Sequence, residues 1–94
     1  MMGERFNSVW DALEDTPEQA ENMKLRAVLL TALKDHLNKH QLTQTEAAKL
    51  LGVTQPRVSD LMRGRIHLFG LDSLVNMTVA AGLTVELKIL EKTV

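Results

Sequence analysis

A glycine and a proline four positions apart, Gly52 and Pro56 in "AAKLLGVTQPRVSDLMRG", restrict this chain more than any other feature it has. The residues on either side follow helical apolar spacing, yet one continuous helix cannot run through both. An interior proline removes an i→i−4 hydrogen bond and its ring collides with the preceding turn. Two short helices meeting at a turn resolve the conflict. Thr43 with Glu46 three residues later forms a capping box, which starts the first helix and leaves Ala47, Ala48, Leu50 and Leu51 as its buried side. Gly52 ends it, because glycine enters the left-handed conformation without steric cost, and Val53 turns back toward the core. Thr54 caps the second helix, so Pro56 falls in a first turn where its missing N–H costs little. Val58, Leu61 and Met62 then hold the second helix to the first, Gln55, Arg57, Ser59, Asp60 and Arg63 face elsewhere, and Gly64 is the stop.

The rest of the chain is read around this pair. Phe6, Val9, Trp10 and Leu13 share one face of a short helix that Asn7 or Ser8 would cap. Thr16, Pro17 and Glu18 mark a fresh helix start, and that helix runs to about His40. Its middle, "LRAVLLTAL", is apolar nearly all round, which requires burial on more than one side, a subunit interface being one option. "HLFGLD" reads as a loop into a helix near 73–81, capped by Asp72 or Ser73, ended by Gly82, with Leu74, Val75, Met77 and Val79 in the core. Over 83–90 the period changes to alternation, Leu83, Val85, Leu87 and Ile89 against Thr84, Glu86 and Lys88, as in a half-buried strand. A lone strand needs a hydrogen-bond partner, and the same segment of a second copy is the candidate. The expected fold is therefore all-α: one domain over 1–94, a compact multi-helix bundle with an acidic N-terminal helix or arm (1–15), a central helix pair (43–64) and one C-terminal dimerisation strand (83–90).

Composition narrows the functions available. The 94 residues contain no cysteine, which removes disulfides, thiol nucleophiles and thiolate metal sites and fits a reducing compartment. No apolar run approaches the length that spans a bilayer, and the N-terminus lacks an apolar signal core, so a cytoplasmic protein with no membrane partner is expected. Net charge is only -1 but unevenly spread: residues 1–22 hold six acids and one base, the remainder ten bases and six acids. Such asymmetry points to two surfaces with different clients, one tolerant of anions, although an acidic helix start left in solvent has the same composition. His36 and His40 have a chelating spacing, but without a third ligand they read as surface histidines, so no metal is expected. No serine has nucleophile context and no phosphate loop is present; neither an enzyme nor a cofactor is expected.

Two short helices crossing at a glycine turn, the second displaying amide, guanidinium and carboxylate groups, make a helix-turn-helix. Gln44, Ala48, Gly52, Val58 and Leu61 have the spacing of phage-repressor-like (Xre-type) proteins, and "VTQPRVSDLMRG" resembles their recognition helix. The resemblance implies a DNA-binding site of Gln44, Thr54, Gln55, Pro56, Arg57, Ser59, Asp60 and Arg63. Gln55 is suited to pairing with adenine, Asp60 to accepting from a cytosine amino group, and the Pro56 ring to touching a thymine methyl. Arg57 and Arg63 would meet phosphates or a guanine. Asp60 has a competing role, an ion pair with Arg57 or Arg63 along the helix. Gln44 would contact phosphate at a helix N-terminus, with Thr43, Lys49 and Arg65 adding backbone contacts. A dimer would read two half-sites of a palindromic operator.

Taken as a whole, the acidic N-terminal segment, the helix-turn-helix, the following helix and the alternating tail resemble HigA-type antitoxins. That resemblance implies a homodimeric repressor of its own operon that also neutralises a small, basic, RelE/HigB-like mRNA-cleaving toxin. Phe6, Trp10 and Leu13, with Asp11, Glu14 and Asp15 beside them, would be the toxin contact, since an apolar anchor ringed by acids suits a basic partner. Trp10 packing on the chain's own long helix is the competing reading. The alternatives to the antitoxin are a stand-alone Xre-type regulator and a protein-interaction module that binds no DNA.

Overall fold

Capping residues in the sequence translate directly into helix boundaries. The computed structural model describes residues 16–92, in which α1 (Pro17–Lys39), α2 (Gln44–Leu51), α3 (Gln55–Met62), a 3₁₀ turn (Ile66–Leu68) and α4 (Leu71–Ala80) follow one another. The hydroxyls of Thr16, Thr43 and Thr54 accept from the backbone N–H groups of Gln19, Glu46 and Arg57 at 3.1, 3.1 and 3.4 Å. At α2 the box is complete, because the Thr43 N–H also donates to Glu46 Oε1 at 2.9 Å. Expectations placed on residues 1–15, including Phe6, Trp10 and Leu13, lie outside the described residues.

The helices end alike. After each, one residue takes positive φ and the next N–H reaches back to the final turn: Leu42 to Leu37, Val53 to Ala48, Arg65 to Asp60 and Leu83 to Thr78, at 3.0–3.2 Å. At Gly52, φ is 71°, as expected of glycine, and Val53 folds back against the core. The terminator of α1 is Gln41 (φ 55°), a residue the sequence reading did not single out. A non-glycine there carries backbone strain of roughly 1 kcal/mol, which the burial of Leu42 against the core offsets.

The core is one cluster to which every helix contributes. Leu30, Leu33 and Leu37 form the inner stripe of α1, Ala47, Ala48 and Leu51 that of α2, Val58 and Leu61 that of α3, and Leu74 and Met77 that of α4. Phe69, at 0% exposure, fills the centre from the connector between α3 and α4.

Several expectations are corrected. No strand forms over 83–90 or anywhere else among the described residues, so the all-α bundle holds and the C-terminal strand paired across a dimer does not. Alternation reports burial on one side and carries no information on whether a partner backbone lies alongside. Leu83 and Val85 are half-buried on the body, whereas Leu87, Ile89 and Leu90 run on past it, 72%, 86% and 73% exposed. Leu50 and Val79, read as core, face solvent, because α2 and α4 are each covered on one side only. Helix α4 begins at Leu71 with Gly70 at the cap position, ahead of the expected Asp72 or Ser73, and Asp72 sits in the first turn, where its charge favours the dipole. His36 is not a plain surface residue: its Nε2 lies 3.1 Å from the Ala81 carbonyl, joining α1 to the end of α4.

Candidate nucleic-acid interface

The α2–turn–α3 unit sits on α1 and α4 through its apolar stripe, and this burial determines what it shows to solvent. With Val58 and Leu61 inward, Thr54, Gln55, Pro56 and Arg63 are exposed, and Ser59 and Asp60 are half-buried at the flank. Gln55 and Ser59, four residues apart, lie on one face of α3. Pro56 occupies the first turn, as expected. Gln44, exposed, opens α2, where free N–H groups and the helix dipole favour an anion. Lys49 and Arg65 are also exposed. These residues span the outer surface of one rigid pair of helices.

Asp60 has a partner, though neither of those considered from the sequence. Its Oδ1 lies 3.8 Å from an Arg65 guanidinium nitrogen, while the Arg65 N–H donates to the Asp60 carbonyl. Half exposed, the pair adds little stability. Its electrostatic effect matters more, because it offsets the one acidic side chain on a helix that would face phosphates.

Arg57 is placed differently from the rest. Its guanidinium turns to the body, donates to the Leu68 carbonyl at 2.6 Å and stacks on the Phe69 ring with 4.0 Å between Cζ and the centroid. Arg26 of α1 donates to the Phe69 carbonyl at 3.2 Å. Sequence reasoning missed Phe69, Leu68 and Arg26. The only signal was an aromatic inside "HLFGLD", a stretch that period-based reading treats as loop.

No group of three or more His, Asp or Glu side chains among the described residues is arranged to hold a metal ion. The His36 and His40 rings lie 4.5 Å apart between centroids, tilted by 60° to one another. Among the described residues no helix is long and apolar enough to cross a membrane.

Two capped eight-residue helices joined by a left-handed glycine, the second exposing polar side chains from a buried apolar footing, define a helix-turn-helix protein. The family model described as "Helix-turn-helix domain" matches residues 12–90, and the chain belongs to that family. More particularly, it is similar to a solved structure assigned to the XRE family of transcriptional regulators, with 32% identity and a TM-score of 0.72 over 78% of this chain and 82% of that one. No protein of curated function matches the sequence.

Proposed function

We propose that the protein is a sequence-specific, DNA-binding transcriptional repressor that acts in the cytoplasm as a homodimer on a palindromic operator. The observation that supports this best is the outer face of α3, where exposed Gln55 and Pro56 and half-buried Ser59 stand on a helix seated by Val58 and Leu61. A side chain reads base edges only if its backbone is held at a defined angle in the major groove, and buried anchors on the opposite face supply that. In this reading Gln55 pairs with a base, Pro56 and Thr54 approach base edges, and Asp60 accepts from a cytosine. Gln44 and Arg63 engage phosphates. One module covers only a few base pairs, so two copies are needed, and the exposed Val28, Leu87, Ile89 and Leu90 are available apolar surface for joining them.

The test is selection of bound duplexes from a randomised pool, followed by titration against salt. A repressor enriches a two-fold symmetric sequence and loses affinity steeply as salt rises. Gln55→Ala should cost about 1–3 kcal/mol on the enriched duplex and relax the preference at one position of each half-site. Failure to enrich any sequence leaves the protein-interaction module as the remaining reading.

The resemblance to HigA-type antitoxins extends the proposal to neutralisation of a small basic RelE/HigB-like toxin through Phe6, Trp10 and Leu13. Its support is the acidic balance of residues 1–22 beside these apolar side chains. Purification at native expression decides it. Stoichiometric recovery of a small basic protein encoded beside this gene supports the antitoxin, and recovery of this chain alone, with that neighbour expressed, leaves a stand-alone regulator.

A further inference from the structure

Helix α3 has only eight residues, and two fully buried side chains, Val58 and Leu61, seat it. They lie three apart on one stripe, which half-buried Met62 extends, and apolar contacts are non-directional, so they resist lifting better than rolling about the helix axis. Arg57 adds a directional tie against rolling. At about 100° per residue, Arg57 lies roughly 200° around the helix from both Gln55 and Ser59, so it faces the body when they face outward. Its guanidinium is held in two ways at once, by the Leu68 carbonyl at 2.6 Å and by the face of Phe69 at 4.0 Å. Phe69 is itself fully buried, and its carbonyl takes a second guanidinium, that of Arg26 on α1, at 3.2 Å. Arginines from two helices thus grip consecutive carbonyls of one connector. The ring contact and the short bond leave Arg57 little freedom to swing toward a phosphate.

We propose that Arg57 is a positioning residue for sequence readout, acting through Phe69 and Leu68 to fix the roll of α3, and that it makes no contact with the DNA backbone. The inference rests on the DNA-binding reading above. It separates two quantities that a phosphate contact would move together, discrimination between sequences and dependence on salt.

The experiment uses the full chain, a duplex enriched by the wild type and a scrambled duplex of equal length, with affinities measured across a range of salt. The variants are Arg57→Met, which keeps an apolar stem but no charge, and Arg57→Lys, which keeps the charge but not the planar face. Thermal unfolding establishes that each is folded at the assay temperature. Loss of a charge-assisted bond and a cation–π contact predicts about a tenfold drop on the enriched duplex for both variants. Binding to the scrambled duplex and the salt slope should stay at wild-type values. The opposite pattern overturns the inference: Arg57→Met weakening both duplexes equally and flattening the slope by about 0.9, with Arg57→Lys restoring both, identifies a phosphate contact. No change on either duplex also overturns it. Phe69→Leu approaches the same contact from the other side; combined with Arg57→Met it should add no further loss of discrimination, whereas full additivity refutes action through Phe69. If the wild type enriches no duplex, the DNA-binding reading fails and this inference with it. If it does, the Arg57 variants test the inference alone.

Discussion

Replacing Gly52 by alanine tests the turn on which the interface is built. The backbone there has φ +71°, and a Cβ added to Gly52 meets no atom within 4 Å. The cost is therefore purely conformational, because no neighbour has to move. Holding an L-residue in the left-handed region costs roughly 1–2 kcal/mol. Alanine also narrows the unfolded ensemble, which offsets about 0.4–1 kcal/mol of that. The net expectation for Gly52→Ala is a loss of about 1 kcal/mol, or about 4–8 °C in Tm for a domain of this size. Urea titration followed by helical circular dichroism measures it as a lower midpoint with an unchanged slope. Gly52→Asn should fall between alanine and wild type, because asparagine enters the left-handed region more readily. Affinity for an enriched duplex, corrected for the unfolded fraction, should be retained, since the open space lets the turn keep its shape. Stability equal to wild type would refute the requirement for a left-handed residue. A loss above about 3 kcal/mol would refute the claim that no steric term enters.

Other perturbations separate the remaining structural claims. Thr43→Ala removes the hydroxyl bond of the capping box, leaving the Thr43 N–H free to donate to Glu46, and should cost about 1 kcal/mol in urea titration, with Thr43→Ser largely restoring it; equal losses from both would show that the hydroxyl bond is not the cause. Leu33→Ala empties a site at 0% exposure and should cost about 2–5 kcal/mol, whereas Val79→Ala, 58% exposed, should stay within about 0.5 kcal/mol. Similar losses at the two positions would contradict the packing of α1 against α4. His36→Ala removes the bond to the Ala81 carbonyl, with an expected cost of about 0.5–1.5 kcal/mol and faster amide exchange at Gly82 and Leu83. Unchanged exchange there would mean that the contact does not hold the end of α4.

What could be read without the structure was whatever depends on neighbours in the chain. The capping box of Thr43 and Glu46, the threonine caps at 16 and 54, the first-turn Pro56 and the left-handed Gly52 are each decided within five residues, and all stand in the structure as expected. The helix-turn-helix was legible for that reason, and with it the exposed position of Gln55. Where two segments meet, local pattern was silent or misleading. Gln41 terminates α1 in a conformation normally left to glycine because the burial of Leu42 compensates it.

The sequence by itself determined the starts of α1, α2 and α3, the stop at Gly52 and the exposure of Gln55 and Pro56, because hydrogen bonds to orphan backbone groups and the helical period are short-range. Only the tertiary structure decided the status of 83–90, where the alternation is real but no strand lies alongside among the described residues. It alone turned Arg57 from a surface cation into a tie across Phe69 to the connector. Both outcomes depend on which backbone another segment brings within hydrogen-bonding distance, and a pattern along one chain does not encode that distance.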